Sequence, residues 1–320
     1  MINFDHKAIC GLFIYYLRYN VIMELQTRNY NLIAEIGCNH QGDIKKAQEM
    51  IVEAKACGCN FVKFQKREPK LQFSPEKYNS PHPNPQNAFG RTYGEHRENL
   101  EFSKDEHKFL MEFTNSLGLE YSCSVFDVVS AQNIIDIQPS HIKIPSPVNN
   151  HTELVELIAK NFDGTIHVSL GMSTKEDEKN LVDILEKYGK LENTILYHCV
   201  SSYPTQSADI SLFEISRLKE KYANKIKAVG LSSHYTDYIA DCMGLALGAK
   251  YIEKHFTFDK FTKGSDHIIS LDYPEMLELS EKLYSASLAL NYKEKELLDC
   301  ELPTYNFHKY KKEAKNNATK

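Results

Sequence analysis

The chain has 320 residues, 42% of them apolar and 25% charged, with a net charge of -5 and eight cysteines. That balance fits a globular soluble protein and excludes the broad basic surface of a nucleic-acid binder, while a local lysine pocket for a small anion stays open. The length suits one α/β barrel or two smaller domains. The cysteines lack paired metal spacing, Cys57-Gly-Cys59 having one residue between its thiols, so reduced thiols in a cytoplasmic protein are expected.

The first stretch, residues 1–30, reads as an extension. Its apolar run Ala8–Leu17 is too short to span a bilayer and no small-residue cleavage site follows it, so neither a membrane span nor an export signal is expected; Met23 offers an alternative start. From Asn31 a short apolar run, a polar loop and an amphipathic stretch repeat. Strands are predicted at Leu32–Glu35, Phe61–Gln65, Glu120–Ser124, His141–Ile144, Ile166–Ser169, Thr194–His198, Lys227–Leu231 and Tyr251–His255. Helices are predicted at Lys45–Cys57, Lys104–Leu117, Val128–Ile137, Thr152–Asn161, Lys175–Tyr188, Leu212–Tyr222, Asp237–Leu247 and Pro274–Leu288. Asp43 and Ser103 can cap, Ser103 with Glu106 has capping-box spacing, and Gly58 and Gly118 follow helix ends. Strands alternating with helices pair in parallel through right-handed crossovers, and eight such units predict a (β/α)8 TIM barrel over 31–290. The connection Arg67–Glu101, with five prolines, is expected as an irregular loop over the mouth, and 291–320 as a C-terminal tail, frayed from Tyr305.

In such a barrel the C-terminal strand ends carry the chemistry. Here they read Glu35; Lys63 and Gln65; Ser124; Lys143 and Ser146; Ser169; His198, Ser201 and Tyr203; Ser232 and His234; His255. His234 and His255 fall at the tips of neighbouring strands, where two imidazoles can share a divalent metal, or can each be satisfied by a backbone carbonyl. Two lysines and several hydroxyls converging on one mouth suit an anionic ligand with several oxygens, such as a phosphate plus a carboxylate.

The segment Ala34-Glu35-Ile36-Gly37-Cys38-Asn39-His40-Gln41-Gly42, followed by Val62-Lys63-Phe64-Gln65, resembles the opening of the N-acetylneuraminate (sialic acid) synthase family. Phe126-Asp127, Lys143-Ile144-Pro145-Ser146, Ser169-Leu170-Gly171-Met172, His198-Cys199, Tyr203-Pro204-Thr205 and Ile252-Glu253-Lys254-His255-Phe256 continue the likeness in order to about Leu288. The resemblance implies a metal-dependent condensation of phosphoenolpyruvate with an aldose, giving a 3-deoxy-2-ulosonic acid and phosphate. It puts the metal on His234 and His255, manganese first with magnesium or cobalt as alternatives. Phosphoenolpyruvate falls to Lys63, Lys143, Ser124, Ser146, Ser169, Ser201 and Ser232, with Gln65 beside them. Glu35, Tyr203 and Asp266 meet the sugar or move protons.

Three positions depart from the family pattern: Val148 where an acidic residue contacts the sugar, Ser233 where an Asp precedes the first His, and Leu170 where a Thr is usual. A counterpart of the family's C-terminal antifreeze-like domain is not expected in this chain, which would weaken its reason for dimerising, and a homodimer stays open. The acceptor expected first is an N-acylated or deoxy hexose resembling N-acetylmannosamine. The alternatives are a non-acylated or phosphorylated sugar, as in octulosonate and heptulosonate synthases, or a non-catalytic sugar-binding barrel. A phosphorylated acceptor needs a second cationic cluster, which only Arg67, Arg91 and Arg97 can supply, and these read first as solvated loop charge.

Overall fold

The computed structural model of the protein describes residues 28–308. Positions 1–27 of the extension expected over 1–30 and the last twelve positions of the tail lie outside the described residues. Eight parallel strands close a barrel in sequence order, β1 (Asn31–Glu35), β2 (Phe61–Lys66), β3 (Glu120–Val125), β4 (His141–Ile144), β5 (Thr165–Ser169), β6 (Thr194–Cys199), β7 (Ala228–Ser233) and β8 (Tyr251–His255). The expected (β/α)8 barrel is therefore the fold, and the main helices begin and end within two residues of the predicted ones.

The local reasons are those the sequence offers. Asp43 accepts from the Lys45 and Lys46 amides to start Ile44–Ala56, and Ser103 with Glu106 closes a capping box on Lys104–Ser116. Gly58 and Gly118 sit at φ +78 and +70 just past helix ends, a conformation a side chain resists. Outward strand residues such as Leu32, Val62, Phe64, Ile142, Val168 and Leu231 pack under the helices in one core. Ile33, Phe61, Ile195, Tyr197 and Tyr251 fill the barrel's lower interior as a separate cluster. Emptying one site of the main core, as in Phe64→Ala, is expected to cost about 3–5 kcal/mol.

The connection after β2 is less irregular than predicted. It contains helical turns at Pro69–Gln72, Pro75–Asn79, Pro85–Asn87 and Tyr93–Glu98. Three of its five prolines stand at turn starts, where the missing N–H costs nothing and the fixed φ already suits a helix. The connection reaches the turn after β8, with the Gly264 amide donating to Asn87 Oδ1 at 3.4 Å and the Lys263 ammonium 4.7 Å from the Phe89 ring centre. A second compact unit begins at Leu288, and its residues 302–308 are helical, so helix runs into the segment read as frayed. No helix among the described residues is long and apolar enough to cross a membrane.

Candidate active site

Strand register sets the site. Glu35 lies beside Lys63 on one side and His255 on the other, Gln65 beside Ser124, Ser124 beside Lys143, and Ser232 between Cys199 and Glu253. Because side chains alternate along a strand, these positions all face the interior, above the lower aromatic cluster.

Their charges are interlocked. Lys143 Nζ donates to both Glu253 oxygens, at 2.6 and 2.7 Å, and lies 4.4 Å from the Tyr197 ring centre. Lys63 pairs with Glu35, reaches Glu253 Oε1 at 3.4 Å and donates to Ser124 Oγ at 2.9 Å. Ser232 Oγ donates to Glu253 Oε1 at 2.9 Å. Glu35 Oε1 also accepts from the Gly37 amide at 3.1 Å and from Gln65 Nε2 at 2.9 Å. Burial works against ionising Glu253, yet Lys143 and Lys63 overcome it and hold its carboxyl well below the usual range. Glu35 moves the other way: burial, with repulsion from Glu253, raises it despite Lys63. Burial, with Lys63 as a like charge, lowers Lys143.

Beside this network lies a ring of small groups. A Cβ on Gly171 would meet the Ser201 hydroxyl, the Ser146 hydroxyl at 2.6 Å and Cys199 Sγ at 3.2 Å, so the absent side chain leaves these three groups facing one space. Asn149 secures the backbone there, donating to the Ser169 carbonyl at 2.8 Å and to Ser173 Oγ at 2.7 Å.

The two predicted imidazoles come together with ring centres 5.4 Å apart, and the Tyr203 ring lies 4.3 Å from that of His234. A carbonyl can only accept, so His234 Nδ1 donates to Val200 O at 3.0 Å and presents Nε2 as its lone-pair nitrogen. His255 Nδ1 is buried without a hydrogen-bond partner, and Asp266 Oδ2 stands 3.9 Å from it. Among the described residues no group of three His, Cys, Asp or Glu side chains could hold a metal. The lone-pair nitrogen of His234 and the orphaned Nδ1 of His255 fit a divalent ion whose other positions would go to water and substrate.

The NeuB family model matches residues 50–295. The N-acetylneuraminate-9-phosphate synthase of Drosophila melanogaster is 38% identical over 262 residues, covering 81% of this chain and 68% of the fly protein. The chain belongs to the NeuB family. The Homo sapiens synthase of the same name is 34% identical over 271 residues, covering 85% and 74%. Among solved structures, the N-acetylneuraminic acid (sialic acid) synthetase of Leptospira borgpetersenii serovar Hardjo-bovis superposes with a TM-score of 0.74 at 27% identity, covering 88% and 91%. As a NeuB member this chain is an enzyme, and the non-catalytic barrel expected as an alternative drops out.

The NeuB site differs from the sequence reading in several places. His198, read as a strand-tip residue of the mouth, points outward and bonds the Ile210 carbonyl at 2.6 Å, because Tyr197 and Cys199 take the inward positions of β6. Cys199 was missed: burial opposes its thiolate, but His234, with Lys143 nearby, holds the thiol below its ordinary value. Glu253 was missed too, although it stands two residues before His255 and so shares its face. The departures from the family pattern fall outside the pocket. Ser233 faces outward and accepts from Lys254 Nζ at 3.2 Å, while Val148 and Leu170 pack against the core. Lys254 itself is a buried structural cation, 2.9 Å from Asp241 Oδ2.

The rim holds the largest correction. Arg91 is solvated as expected, with its side chain 94% exposed. Arg67 is 3% exposed, stacked 4.1 Å from the Phe126 ring centre, bonded to Gln65 Oε1 and paired with Glu101 at 3.1 Å. Arg97 is half-buried, and its Nη1 meets Cys38 Sγ at 3.4 Å. Asp266 accepts from Ser265 Oγ at 2.7 Å; burial alone would raise its carboxyl, but His255, Ser265, Arg97 and Arg67 hold it down.

Proposed function

We propose that the protein condenses phosphoenolpyruvate with an N-acylated hexose to a nonulosonic acid and phosphate, with a divalent metal on His234 and His255. The observation that carries this reading is the pairing of Lys63 and Lys143 on one carboxylate, Glu253, beneath a hydroxyl ring and beside the two imidazoles. Burial and Glu253 push the Glu35 carboxyl up, and any proton it takes leaves two lysines against one carboxylate, the net positive charge an anionic donor needs. Ser124, Ser146, Ser169, Ser201 and Ser232 then supply hydroxyls to its phosphate and carboxylate oxygens, and the lysines stabilise charge on the departing phosphate. The donor's methylene carbon bonds to the acceptor's aldehyde carbon, water adds at C2, and phosphate leaves from that carbon. A bound divalent ion, manganese first with magnesium or cobalt as alternatives, would polarise the aldehyde as a Lewis acid. Glu35, oriented by Gln65 and the Gly37 amide, is positioned to pass a proton to the sugar oxygen or take one from water.

The test offers purified protein, phosphoenolpyruvate and manganese or magnesium a panel of N-acetylmannosamine, mannose, a diacetamido-trideoxyhexose and a pentose phosphate, with phosphate release and product mass recorded. Release with an N-acylated hexose is expected, and release with none rejects the reading. His234→Ala is expected to remove both turnover and retained metal; a variant that keeps both rules out the imidazole pair as the metal site.

A further inference from the structure

Glu253 and His255 face the barrel interior, so Lys254 between them faces outward, and its side chain is wholly buried. Its ammonium lies among four oxygens from one short stretch of chain: Ser233 Oγ at 3.2 Å, the Tyr235 carbonyl at 2.6 Å, the Asp237 carbonyl at 2.8 Å and Asp241 Oδ2 at 2.9 Å. His234 stands inside that stretch, between the first two of these residues. The backbone on either side of one imidazole is therefore fastened to the residue that precedes the other in β8.

Backbone pairing does not reach so far. The ladder between β7 and β8 ends at Ser233 and Lys254, and residues 234–238 belong to no strand or helix. The Thr205 amide donates to the His234 carbonyl at 3.1 Å and His234 Nδ1 donates to Val200 O, ties that both run to the connection after β6. The lysine side chain carries the link to β8 onward past the end of the ladder. Stability alone does not account for it. Asp241 is wholly buried and its Oδ1 has no hydrogen-bond partner, and a buried ion pair answered this incompletely can often be replaced by neutral groups of similar volume at little cost. What the pair supplies is a fixed place for the turn that carries His234.

We infer that Lys254 is a positioning residue for the imidazole pair, holding the backbone of His234 to the strand of His255 so that the rings, 5.4 Å apart, can meet one divalent ion. This rests on the metal site of the reading above and assigns the residue that sets its spacing. The test measures the dissociation constant for manganese, with no substrate present, in the wild type, His234→Ala, Lys254→Met/Asp241→Asn, Lys254→Arg and Leu283→Ala. Phosphoenolpyruvate affinity without metal and the denaturant midpoint are recorded beside it. The double variant removes both buried charges together, and it is expected to weaken manganese binding about 10- to 100-fold while phosphoenolpyruvate affinity stays as in the wild type. Lys254→Arg keeps a cation beside Asp241, but a planar fork cannot meet the same four oxygens, so manganese is expected to weaken there too. Leu283→Ala empties a core site remote from the imidazoles and is expected to lower the midpoint with manganese affinity intact. Normal manganese affinity in whichever Lys254 variant folds overturns the inference. A loss shared with Leu283→Ala, or one matched by an equal loss of phosphoenolpyruvate affinity, overturns it too, since general loosening then explains the result. In those cases the metal site stands if His234→Ala loses manganese; a wild type that binds none, or a His234→Ala that binds it normally, rejects the site and the positioning role together.

Discussion

The pocket and the rim of this barrel handle buried charge in opposite ways. In the pocket, Glu35 and Glu253 face Lys63 and Lys143, every one of them 5% exposed or less and each bonded to at least one of the others. At the rim, Arg67 has one carboxylate and Arg97 has none in contact among the described residues. The pocket rests on rigid strands in fixed register, so its ions can answer one another without a ligand. The rim rests on a connection of short helical turns and leaves charge unanswered. A self-matched site on strands suits the donor half that a family shares, and an unmatched one on a loop suits the acceptor half that varies.

The strongest way to break this contrast is to remove the carboxylate both lysines share. Glu253→Ala leaves two deeply buried ammonium groups with only Glu35 between them, and breaking a buried pair from one side typically costs about 3–5 kcal/mol. Denaturant unfolding is expected to reveal a loss of that size together with loss of turnover. Arg97→Gln at the rim is expected to cost under about 1 kcal/mol in the same measurement, since no carboxylate is orphaned by it. Equal losses at the two positions would erase the difference between pocket and rim.

A pH series sharpens it on a smaller scale. Burial lowers His40 to about 3, and His96, His141 and His267 to about 4. Below their ordinary value near 6.5 the unfolded chain takes up protons that the folded chain refuses, so the stability they contribute is full above that pH and falls as pH drops toward 4. His141 lies on β4, and His96 lies in the rim's last helical turn, where its Nδ1 accepts from the Phe89 amide at 3.1 Å. Opening a surface connection costs less than opening a barrel. Hydrogen exchange at pH 5 against pH 7.5 is expected to lose protection first over residues 85–100 and only later in the strands. Simultaneous loss would mean that rim and barrel open as one unit.

Much of the barrel was legible because strand and helix leave different periods in a sequence, and caps such as Asp43 and Ser103 mark where one yields to the other. The lysines, serines and imidazoles were legible because polar residues at strand ends violate the usual apolar pattern. Glu253 and Cys199 could have been found by applying the two-residue alternation strictly: Glu253 shares a face with His255, and Cys199 excludes its neighbour His198. The guanidinium pair could not. Its closeness depends on a connection folding back until residues 67 and 97 meet at Cys38, and no local period records that. Reading the same connection as an irregular loop also hid its helical turns, three of which begin on a proline.

Tyr203 allows the finest test of the contrast. It was expected to meet the sugar or move protons, and it is 56% exposed at the mouth, with its ring laid against His234. Tyr203→Phe keeps the ring and removes only the hydroxyl. A hydroxyl that moves a proton in the rate-limiting step contributes about 100-fold or more, whereas one neutral hydrogen bond contributes about 0.5–1.5 kcal/mol, roughly 2- to 13-fold. With water free to replace it at an exposed position, the smaller effect is expected: a fall in kcat of under about 10-fold, while Tyr203→Ala, which strips the ring from His234, falls further and also lowers retained metal. A Phe variant as impaired as the Ala variant would return the hydroxyl to the chemistry and extend the working site from the strand ends onto the rim.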